Sequence, residues 1–432
     1  MSDSIFAENF KPEPYWWHET LCDNLSSIKL PRKVDVAVIG SGFTGCSAAL
    51  TLARGGREVL ILEANQPGYG ASSRNGGYVA KVSMRDFSDL VRRIGLERTI
   101  RLYNEGKEAR YYLESLIERE QIACHYKSPG RLTAAHCKRA YEFLERELEF
   151  KRRHVKFDAH MVSSDYLPSE LGSDYYCGGL VTNDAGDLHP GEYVSGLVRQ
   201  VLSTGASIAA HTPVVELEQQ KGGVHLLTPR GVVVAKDVIL ATNGHTPRGF
   251  TYFSRRIIPL KLAVLATETL TSQQLSSAIP RGRTVIDTRA MFNAFRPAPD
   301  DSRLIYMAEP GINFSHEREA ALALHKRMSA VFPQLSDVKI FRCWTGTLGM
   351  TFDFMPHIGK RGGVHFALGM NGAGVITGTW LGYQLALRIL GKARQSVFDG
   401  ENFPTLPGYR GKPWFLPLVT ARYRLRDFLA RH

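Results

Sequence analysis

The chain has 432 residues, of which 44% are hydrophobic and 22% are charged. This ordinary composition excludes a disordered chain and leaves room for two domains, or for one large cofactor-binding unit with an inserted lobe. The formal net charge of +12 is compatible with an acidic partner, but the basic residues are dispersed and no nucleic-acid-binding motif is present, so we exclude nucleic acid. The six cysteines form no CxxC pair and no Cys/His cluster with metal-ligand spacing, so we predict free thiols in a reducing compartment and no metal site.

The first predicted elements form a strand–helix–strand unit. Val34–Gly40 is a short, apolar, β-branched run that predicts a buried parallel strand, and Glu58–Ala64 predicts the next one. The segment FTGCSAALTLARGG between them predicts a helix that ends at two glycines. The residues before this unit contain no signal-peptide pattern, and no apolar run of the chain is long enough to span a bilayer, so we expect a cytoplasmic protein.

Helical and strand patterns alternate along the rest of the chain. Residues 84–155 predict amphipathic helices, and Pro190 begins another helix. The short strands SIAA, VVELEQ, VHLLT, VVVA and DVILAT follow, and residues 255–350 continue the strand pattern with one helix at about 315–332. GVHFALG then predicts a buried strand, and GVITGTWLGYQLALRILG a helix behind a Gly-rich turn.

The motif GSGFTG at residues 40–45 is a GxGxxG fingerprint in the context that a dinucleotide site requires. Gly40 permits the tight turn, Gly42 lets the backbone approach a pyrophosphate, and Gly45 lets the helix pack close to the sheet. The helix N-terminus offers N–H groups and partial positive charge to the phosphates. Glu63 closes the second strand about 20 residues later, where it can accept hydrogen bonds from the ribose hydroxyls.

Two further glycine-rich segments favour FAD over NAD. GYGASSRNGGYV at residues 68–79 supplies small residues and backbone N–H groups where NAD enzymes usually continue into a helix. GMNGAG at residues 369–374 aims the N-terminus of the last long helix at an electron-rich group, which in a flavoprotein is the pyrimidine edge of the flavin. A surface loop and a plain strand–helix turn remain the alternative interpretations of these segments.

The cofactor signals lie at both ends and in the middle of the chain, so we predict a discontinuous FAD-binding domain formed by residues 30–85, 180–250 and 355–400. Residues 86–179 and 251–354 then form the substrate-binding lobe. Residues 401–432 form a basic helical tail, which is either a solvated helix face or a weak membrane contact.

Nine segments in this order resemble the D-amino-acid-oxidase-like superfamily of FAD enzymes, which includes glycine oxidases, sarcosine oxidases and γ-glutamylputrescine oxidoreductases. The segments are PYWWHET, VAVIGSGFTGCSAALTLARGG, LEANQPGYGASSRNGG, DLHPGEYVSGL, VILATNGHT, FRPAPDDSRLIYMAE, WTGTLGMTFDFMPHIGK, GMNGAGV and ARYRLRDFL. The likeness is greatest to the γ-glutamylputrescine oxidoreductase-like amine oxidases and covers almost the whole chain. It implies an α/β (α+β) fold in which FAD lies between a Rossmann-like FAD-binding domain and a second lobe built on a large mixed β-sheet.

The resemblance also implies which residues bind the cofactor. Gly40, Gly42 and Gly45 would hold the pyrophosphate, Glu63 the adenosine ribose, and Val214 the adenine through its backbone. The residues that would line the flavin's path are Ser72, Ser73, Arg74, Asn75 and Gly77. Those that would face the pyrimidine edge are Met370, Asn371, Gly372 and Gly374.

Three positions depart from the family pattern. Leu348 stands where the α-amino-acid oxidases carry an Arg for the substrate carboxylate, which argues against simple glycine or D-alanine turnover. Ile305 lies near the position of the Lys that activates dioxygen in sarcosine oxidases. Cys343 lies too far upstream of Asp353 to match the Cys that attaches flavin in some sarcosine oxidases, so we predict non-covalent FAD.

The candidate catalytic residues lie on strands that would cover the flavin. They are Arg296, Tyr306, Trp344 and His357, with Phe295, Glu309 and Met350 beside them on the same strands. Arg296 would bind an anionic end of the substrate and Tyr306 would form an aromatic wall. The alternatives are a surface Arg, a core Tyr and, for His357, a core His. We expect His189 and His245 to be structural.

These observations predict an FAD-dependent enzyme that oxidises the C–N bond of a γ-glutamylputrescine-like amine. Hydride passes from the α-carbon to the flavin, and the imine hydrolyses to a carbonyl. Dioxygen, or another acceptor, then reoxidises the flavin, and dioxygen yields hydrogen peroxide. The alternatives are an amino-acid oxidase of the sarcosine or glycine type, and a flavin dehydrogenase that passes electrons to a membrane acceptor.

Overall fold

The computed structural model describes residues 4–17, 25, 28–80, 82–309, 316–400 and 402–430. The strands in these ranges are β1 (Phe6–Lys11), β2 (Lys33–Ile39), β3 (Val59–Leu62), β4 (Tyr78–Val79), β5 (Arg131–Ala134), β6 (Ala159–Ser163), β7 (Gly178–Thr182), β8 (Gly186–Asp187), β9 (Ser207–Ala209), β10 (Glu216–Gln220), β11 (Gly223–Thr228), β12 (Gly231–Leu240), β13 (Ile258–Thr267), β14 (Thr284–Asp287), β15 (Asn293–Pro297), β16 (Leu304–Ala308), β17 (Ile340–Met350), β18 (His357–Arg361) and β19 (Val364–Leu368). The helices are α1 (Phe43–Arg54), α2 (Phe87–Ile94), α3 (Leu96–Arg119), α4 (Lys138–Arg152), α5 (Pro190–Ser203), α6 (Thr251–Ser254), α7 (Ser272–Ala278), α8 (Glu317–Val331), α9 (Gly374–Ile389) and α10 (Leu416–Leu429).

The smaller of the two main sheets contains the predicted strand–helix–strand unit as β2, α1 and β3. Its strand order is β10-β11-β12-β2-β3-β9, and β19 and β18 extend it beside β12. The neighbours β19, β12, β2, β3 and β9 are parallel, and β3 is buried along its whole length. Parallel strands need cover on their faces because they are apolar throughout. Helices α1, α3, α5 and α9 supply part of this cover, in one apolar core with β2 and β3.

The larger sheet has nine strands in the order β1-β17-β13-β16-β15-β14-β5-β7-β6. It is mixed, because β1 runs parallel to β17 and β14 runs parallel to β5, whereas the other neighbouring pairs are antiparallel. Successive side chains of a strand alternate between the two faces. One face carries a core that includes Phe295, Tyr306 and residues of α8, and the other looks toward the domain of the smaller sheet. This arrangement is the mixed α/β fold that we expected.

The residues that form the two sheets do not follow the predicted domain boundaries. Strand β7 belongs to the larger sheet and crosses the predicted boundary at residue 180, and β1 joins the larger sheet from the N-terminal segment. Helix α3 packs in the core of the smaller sheet, although residues 86–179 as a whole were assigned to the second lobe. An amphipathic helix pattern shows which face is apolar but not which sheet covers it.

The thiols of Cys46, Cys124, Cys137, Cys177 and Cys343 are free, as predicted, and Cys22 lies outside the described residues. No helix in the described part of the chain is both long enough and apolar enough to cross a membrane. The basic tail forms helix α10, which begins at Leu416.

A buried arginine joins the larger sheet to the domain of the smaller one. Arg296 on β15 is fully buried, and its Nη1 donates to the carboxylate of Asp187 over 2.5 Å. Its Nε donates to the carbonyl of Gly76 and its Nη2 to that of Leu188, over 2.8 and 2.7 Å. Burial raises the pKa of Asp187, and the charge of Arg296 opposes that rise. One guanidinium therefore links three segments that are distant in sequence.

We expect Arg296→Met to lower the free energy of unfolding by about 3–5 kcal/mol, because it leaves the Asp187 carboxylate buried without its charge partner. The double variant Arg296→Met/Asp187→Leu should recover part of this loss, since it removes both charges. Urea unfolding followed by tryptophan fluorescence measures both effects. Arg281→Met, at an exposed site, is the control. Equal midpoints for Arg296→Met and the wild type would show that this junction is not needed for stability.

Candidate active site

The turn between β2 and α1 requires glycine at the three fingerprint positions. Gly40 has a φ of 99°, which disfavours other residues. A Cβ on Gly45 would lie 1.9 Å from the carbonyl oxygen of Gly40, and a Cβ on Gly42 would lie 2.7 Å from the Oγ of Ser72. The Oγ of Ser72 also accepts a hydrogen bond from the N–H of Phe43 over 3.0 Å. The start of α1 thus contacts the predicted flavin segment through Ser72.

Glu63 follows β3 and is held in one orientation by the glycine turn. Its Oε2 accepts hydrogen bonds from the backbone N–H and the Oγ of Ser41, over 2.8 and 2.6 Å. Its Oε1 accepts one from the N–H of Asn65 over 3.0 Å. The N–H of Thr212 donates to the Glu63 carbonyl over 2.7 Å, which brings the chain before Val214 beside it. A carboxylate can accept further bonds, so this half-buried group remains available to ribose hydroxyls.

Tryptophan side chains fix the backbone of the predicted flavin segment. The indole of Trp16 donates to the carbonyl of Asn75 over 2.8 Å, and the indole of Trp344 donates to the carbonyl of Arg74 over 3.0 Å. The guanidinium of Arg74 lies 4.3 Å from the ring centroid of Trp17. Trp344 is fully buried, and it therefore orients the segment rather than lining a substrate space.

The same segment is braced by its own side chains. The amide oxygen of Asn75 accepts a hydrogen bond from the N–H of Gly77 over 2.8 Å, and the Oγ of Ser73 accepts one from the indole of Trp17 over 2.8 Å. Gly77 has a φ of 75°, and a Cβ there would lie 2.2 Å from the carbonyl oxygen of Leu188. The segment therefore approaches β8 more closely than any side chain allows, which explains the glycine.

Asn243 positions the second glycine cluster. Its Oδ1 accepts hydrogen bonds from the N–H groups of Gly369 and Met370, over 2.9 and 3.3 Å. Asn371, with a φ of 48°, accepts a hydrogen bond on its own Oδ1 from the N–H of Thr351 over 2.9 Å. These contacts tie the end of β19 to the segment that follows β12 and to the end of β17.

Gly372 lies beside the side chain of Leu348. A Cβ on Gly372 would meet Leu348 Cδ1 at 3.9 Å and Met84 Sδ at 4.0 Å, which is ordinary van der Waals contact. Helix α9 begins two residues later at Gly374 and directs its N-terminus to this turn. The structure therefore brings together Leu348 and the residues predicted to meet the pyrimidine edge.

Strand alternation corrects the predictions for Arg296 and Tyr306. Tyr306 is fully buried and its ring stacks on Phe295 at 5.7 Å, in the core on the face of the larger sheet that looks away from the smaller one. It is an ordinary core residue. Arg296 faces the smaller sheet, but Asp187 and two carbonyls already engage its donors. It is thus not placed to bind an anionic end of the substrate.

The other candidates occupy structural positions or the margin of the site. The Nε2 of His357 lies 3.1 Å from a carboxylate oxygen of Asp353, and its ring stacks on Phe403 at 4.2 Å, as expected of a core histidine. Burial raises the pKa of Asp353, but the hydrogen bond and charge of His357 outweigh this and hold it below the usual value. Glu309 lines a separate cavity of about 330 Å³ between the end of the larger sheet and α10.

The two remaining histidines differ in their surroundings. The Nδ1 of His189 accepts a hydrogen bond from the N–H of Glu192 over 3.1 Å and so caps α5, and burial lowers its pKa to about 3. It is structural, as predicted. Burial also lowers the pKa of His245, on which the charges of Glu63 and Arg74 act in opposite directions. His245 therefore lies beside predicted cofactor residues.

Sequence analysis assigned no role to Trp16, Asp187 and Asn243, which the structure places at the junctions of the site. Each lies in a segment that carried the family likeness, namely PYWW, DLHP and NGHT. These motifs indicated the family, but the chemistry of their single residues did not indicate which of them make contacts at the site.

Comparison with known proteins gives a consistent result. The model of the DAO family, described as FAD dependent oxidoreductase, matches residues 35–388. The chain is 33% identical to the "Probable oxidoreductase OrdL" of Haemophilus influenzae, over 87% of this chain and 88% of that protein. It is 29% identical to the gamma-glutamylputrescine oxidoreductase of Escherichia coli, over 91% of this chain and 93% of that protein. The solved glycine oxidase of Geobacillus kaustophilus superposes with a TM-score of 0.70 at 19% identity, over 87% of this chain and 99% of that one.

The residues of the site fit FAD. The glycine turn keeps side chains away from the start of α1, as close approach of a pyrophosphate requires, and the backbone N–H of Ser41 orients the Glu63 carboxylate that would bind a ribose. Cys343 lies in the core on the far face of the larger sheet, and burial raises the pKa of its thiol. This position supports the prediction that FAD binds without a covalent bond.

We expect Glu63→Ala to weaken FAD binding about tenfold to a hundredfold, because a charged partner of two ribose hydroxyls is lost. The variant should remain folded, since Glu63 lies at the end of a strand and is only half buried. Titration of the apoprotein with FAD, followed by quenching of flavin fluorescence, gives the dissociation constants. Glu58→Ala, at an exposed site just before β3, is the control. An unchanged FAD affinity in Glu63→Ala would refute the assigned ribose contact.

Proposed function

The chain belongs to the DAO family of FAD-dependent oxidoreductases, and we propose that it oxidises an amine whose anionic group lies away from the reacting carbon, as in a γ-glutamylputrescine-like substrate. A water molecule hydrolyses the resulting imine, so that a primary amine, dioxygen and water give an aldehyde, ammonia and hydrogen peroxide. FAD supplies the hydride acceptor. The similarity to the gamma-glutamylputrescine oxidoreductase of Escherichia coli supports this choice of substrate class.

The position of Leu348 is the observation that carries the proposal. Its side chain lies beside Gly372, one of the residues predicted to face the pyrimidine edge. A carboxylate on the reacting carbon would be desolvated beside Leu348, at a cost of several kcal/mol. Leu348 cannot offset this cost, because it lacks the two hydrogen bonds that an Arg would donate to the carboxylate. An amine with its carboxylate further along the chain avoids this cost. Gly346, on the same face of β17, packs against the backbone of Arg74 and leaves no room for a charged side chain.

The side chains around the predicted flavin segment hold and orient it, and they exclude water from it. Trp16 and Trp344 hold the flavin segment by hydrogen bonds to its carbonyls, and their rings bury its junction with the larger sheet. Ile305 is fully buried in the same apolar cluster, so no cation occupies the position where sarcosine oxidases carry a Lys. Reoxidation by dioxygen thus proceeds without that Lys. An amino-acid oxidase of the sarcosine or glycine type remains the alternative.

We expect amines such as γ-glutamylputrescine to bleach the flavin faster than glycine, sarcosine or D-alanine in an anaerobic stopped-flow experiment. Leu348→Arg should raise the relative rate for sarcosine, since it adds the missing carboxylate partner. Leu348→Met, which conserves volume, is the matched control and should keep the wild-type preference. If wild-type protein reacts faster with the small α-amino acids than with every amine, the alternative replaces the proposal.

Helix α10 near the C-terminus supports a second proposal. We propose that the outer side of this helix binds an anionic lipid surface. Asp427 anchors the inner side of α10 by accepting hydrogen bonds from the N–H groups of Ala290 and Met291, both over 2.8 Å. The outer side presents leucines spaced seven and four residues apart along one stripe. These leucines are Leu418, Leu425 and Leu429, exposed by 70%, 58% and 63%. The exposed arginines beside them are Arg422, Arg424 and Arg426.

An apolar stripe flanked by arginines is the pattern of a helix that lies in a membrane interface. Such contact would bring the enzyme to a membrane-bound electron acceptor, which is the dehydrogenase alternative to reoxidation by dioxygen. A solvated helix with no lipid affinity is the other outcome.

We expect the protein to sediment with vesicles that contain phosphatidylglycerol but not with phosphatidylcholine vesicles, and salt should weaken the binding. The double variant Leu425→Ser/Leu429→Ser should lose most of this binding, because it removes the apolar anchor. Tyr111→Ser, at a site exposed by 73% on α3, is the control and should bind as the wild type does. Failure of the wild-type protein to sediment with anionic vesicles would end this second proposal.

A further inference from the structure

The imidazole of His245 packs against the glycine-rich segment at residues 68–79. A Cβ built on Gly70 would lie 3.6 Å from the Cδ2 of His245 and 3.7 Å from its Nε2. Two residues after Gly70, the Oγ of Ser72 accepts a hydrogen bond from the N–H of Phe43 at the start of α1. His245 therefore lies close to the point where this segment meets the glycine turn.

The backbone that carries His245 is fixed at the carboxyl end of two parallel strands. Strand β12 runs parallel to β2, and beyond the two strands the N–H of Ala241 donates to the carbonyl of Ile39 over 3.0 Å. A single helical turn, Asn243–His245, follows, and the Asn243 side chain ties it to the end of β19. The carboxyl ends of parallel strands are where nucleotides bind in sheets of this kind.

His245 is available to a ligand, whereas the nearby Arg74 is engaged. His245 keeps an exposed surface, and its ring nitrogens form no hydrogen bond with another residue in the described part of the chain. Protein on several sides desolvates the imidazole and lowers its pKa, which the charge of Glu63 opposes and the charge of Arg74 reinforces. The guanidinium of Arg74 donates to the carbonyls of Tyr69 and Thr345, over 2.9 and 3.2 Å.

The two charges that act on His245 belong to residues assigned to different parts of FAD. Glu63 is assigned to the adenosine ribose, and Arg74 is among the residues predicted to line the path of the flavin. The pyrophosphate and ribityl chain join these two parts of FAD, so they would pass beside His245. The pyrophosphate is a dianion, and the motif GSGFTG offers it backbone N–H groups and the dipole of α1 but no cationic side chain.

We propose that His245 donates a hydrogen bond to the pyrophosphate of FAD and takes up a proton when the cofactor binds. A protonated imidazole supplies the positive charge that the glycine turn lacks, and a charge-assisted hydrogen bond is stronger than a neutral one. This role replaces the expectation that His245 is structural. It concerns binding of the cofactor and does not depend on which amine the enzyme oxidises.

The direction of the pH dependence follows from the charges around His245. In the protein without FAD the pKa of His245 lies below its usual value of 6.5. A pyrophosphate beside the ring should raise that pKa. The gain in FAD affinity is then fully present below the pKa of the free protein, and it is lost as the pH rises through the higher pKa of the complex. FAD should therefore bind more tightly in mildly acidic solution than in alkaline solution.

The test titrates the apoprotein with FAD and follows the quenching of flavin fluorescence. The wild-type dissociation constant should be about threefold to tenfold lower at about pH 6 than at about pH 8. In His245→Gln this ratio should fall below about twofold, because Gln does not titrate. His245→Lys, which carries a fixed positive charge, should bind FAD tightly at both pH values. His160→Gln, at an exposed site on β6, is the control and should keep the wild-type ratio.

Two further measurements locate the contact. Calorimetry of FAD binding in two buffers with different ionisation enthalpies counts the protons that are taken up. The wild-type protein should take up a fraction of a proton near neutral pH, and His245→Gln should take up none. ADP-ribose, which contains the pyrophosphate without the flavin, should show the same pH dependence as FAD, and adenosine, which lacks the pyrophosphate, should show none.

The melting temperature of each apoprotein separates these results from a folding defect. If His245→Gln melts well below wild type, the pH ratio of His245→Lys decides the matter, since a lysine that binds FAD with the wild-type pH dependence would overturn the proposal. A folded His245→Gln that keeps the wild-type pH dependence would overturn it as well, and would assign the titration to another group such as His211 beside Gln66. A pH dependence seen with FAD but not with ADP-ribose would refute the contact with the pyrophosphate.

Discussion

The site depends on one buried guanidinium. Arg296 crosses from the larger sheet to the carbonyl of Gly76 in the flavin segment, and to the Leu188 carbonyl and Asp187 carboxylate of the neighbouring chain. Charged hydrogen bonds in a buried setting are strong only when each partner is present, so this junction holds Gly77, β8 and β15 in one arrangement. Trp16 packs beside it and adds a hydrogen bond to the same segment. The position of the predicted flavin segment relative to the larger sheet follows from these contacts.

The two sheets that meet at this junction have different roles in the proposed site. We propose that the smaller sheet binds the cofactor mainly through backbone geometry, since the predicted residues are glycines together with the oriented carboxylate of Glu63. We propose that the substrate lies against the larger sheet, where Leu348 makes the surface next to Gly372 apolar. An amine whose carboxylate is distant from the reacting carbon matches this apolar surface.

The strand, glycine turn and helix at the start of the smaller sheet were predictable because their geometry is local. A strand, a glycine turn, a helix and an acidic residue occur within 30 residues, and each has a physical reason that can be recognised in the sequence. The larger sheet was less predictable, since its strands pair across long separations. Arg296 and Tyr306 lie on neighbouring strands, and their faces follow only from the register that pairs Phe295 with Tyr306.

The central claim is that the substrate carries its carboxylate far from the carbon that is oxidised. The most direct measurement compares anaerobic flavin reduction of the wild-type protein by γ-glutamylputrescine and by 4-aminobutyrylputrescine, which is the same amine without the carboxylate. The account predicts that removal of the carboxylate lowers the second-order rate constant about tenfold or more, with little change in the limiting rate at saturation. Equal rate constants for the two amines would contradict it.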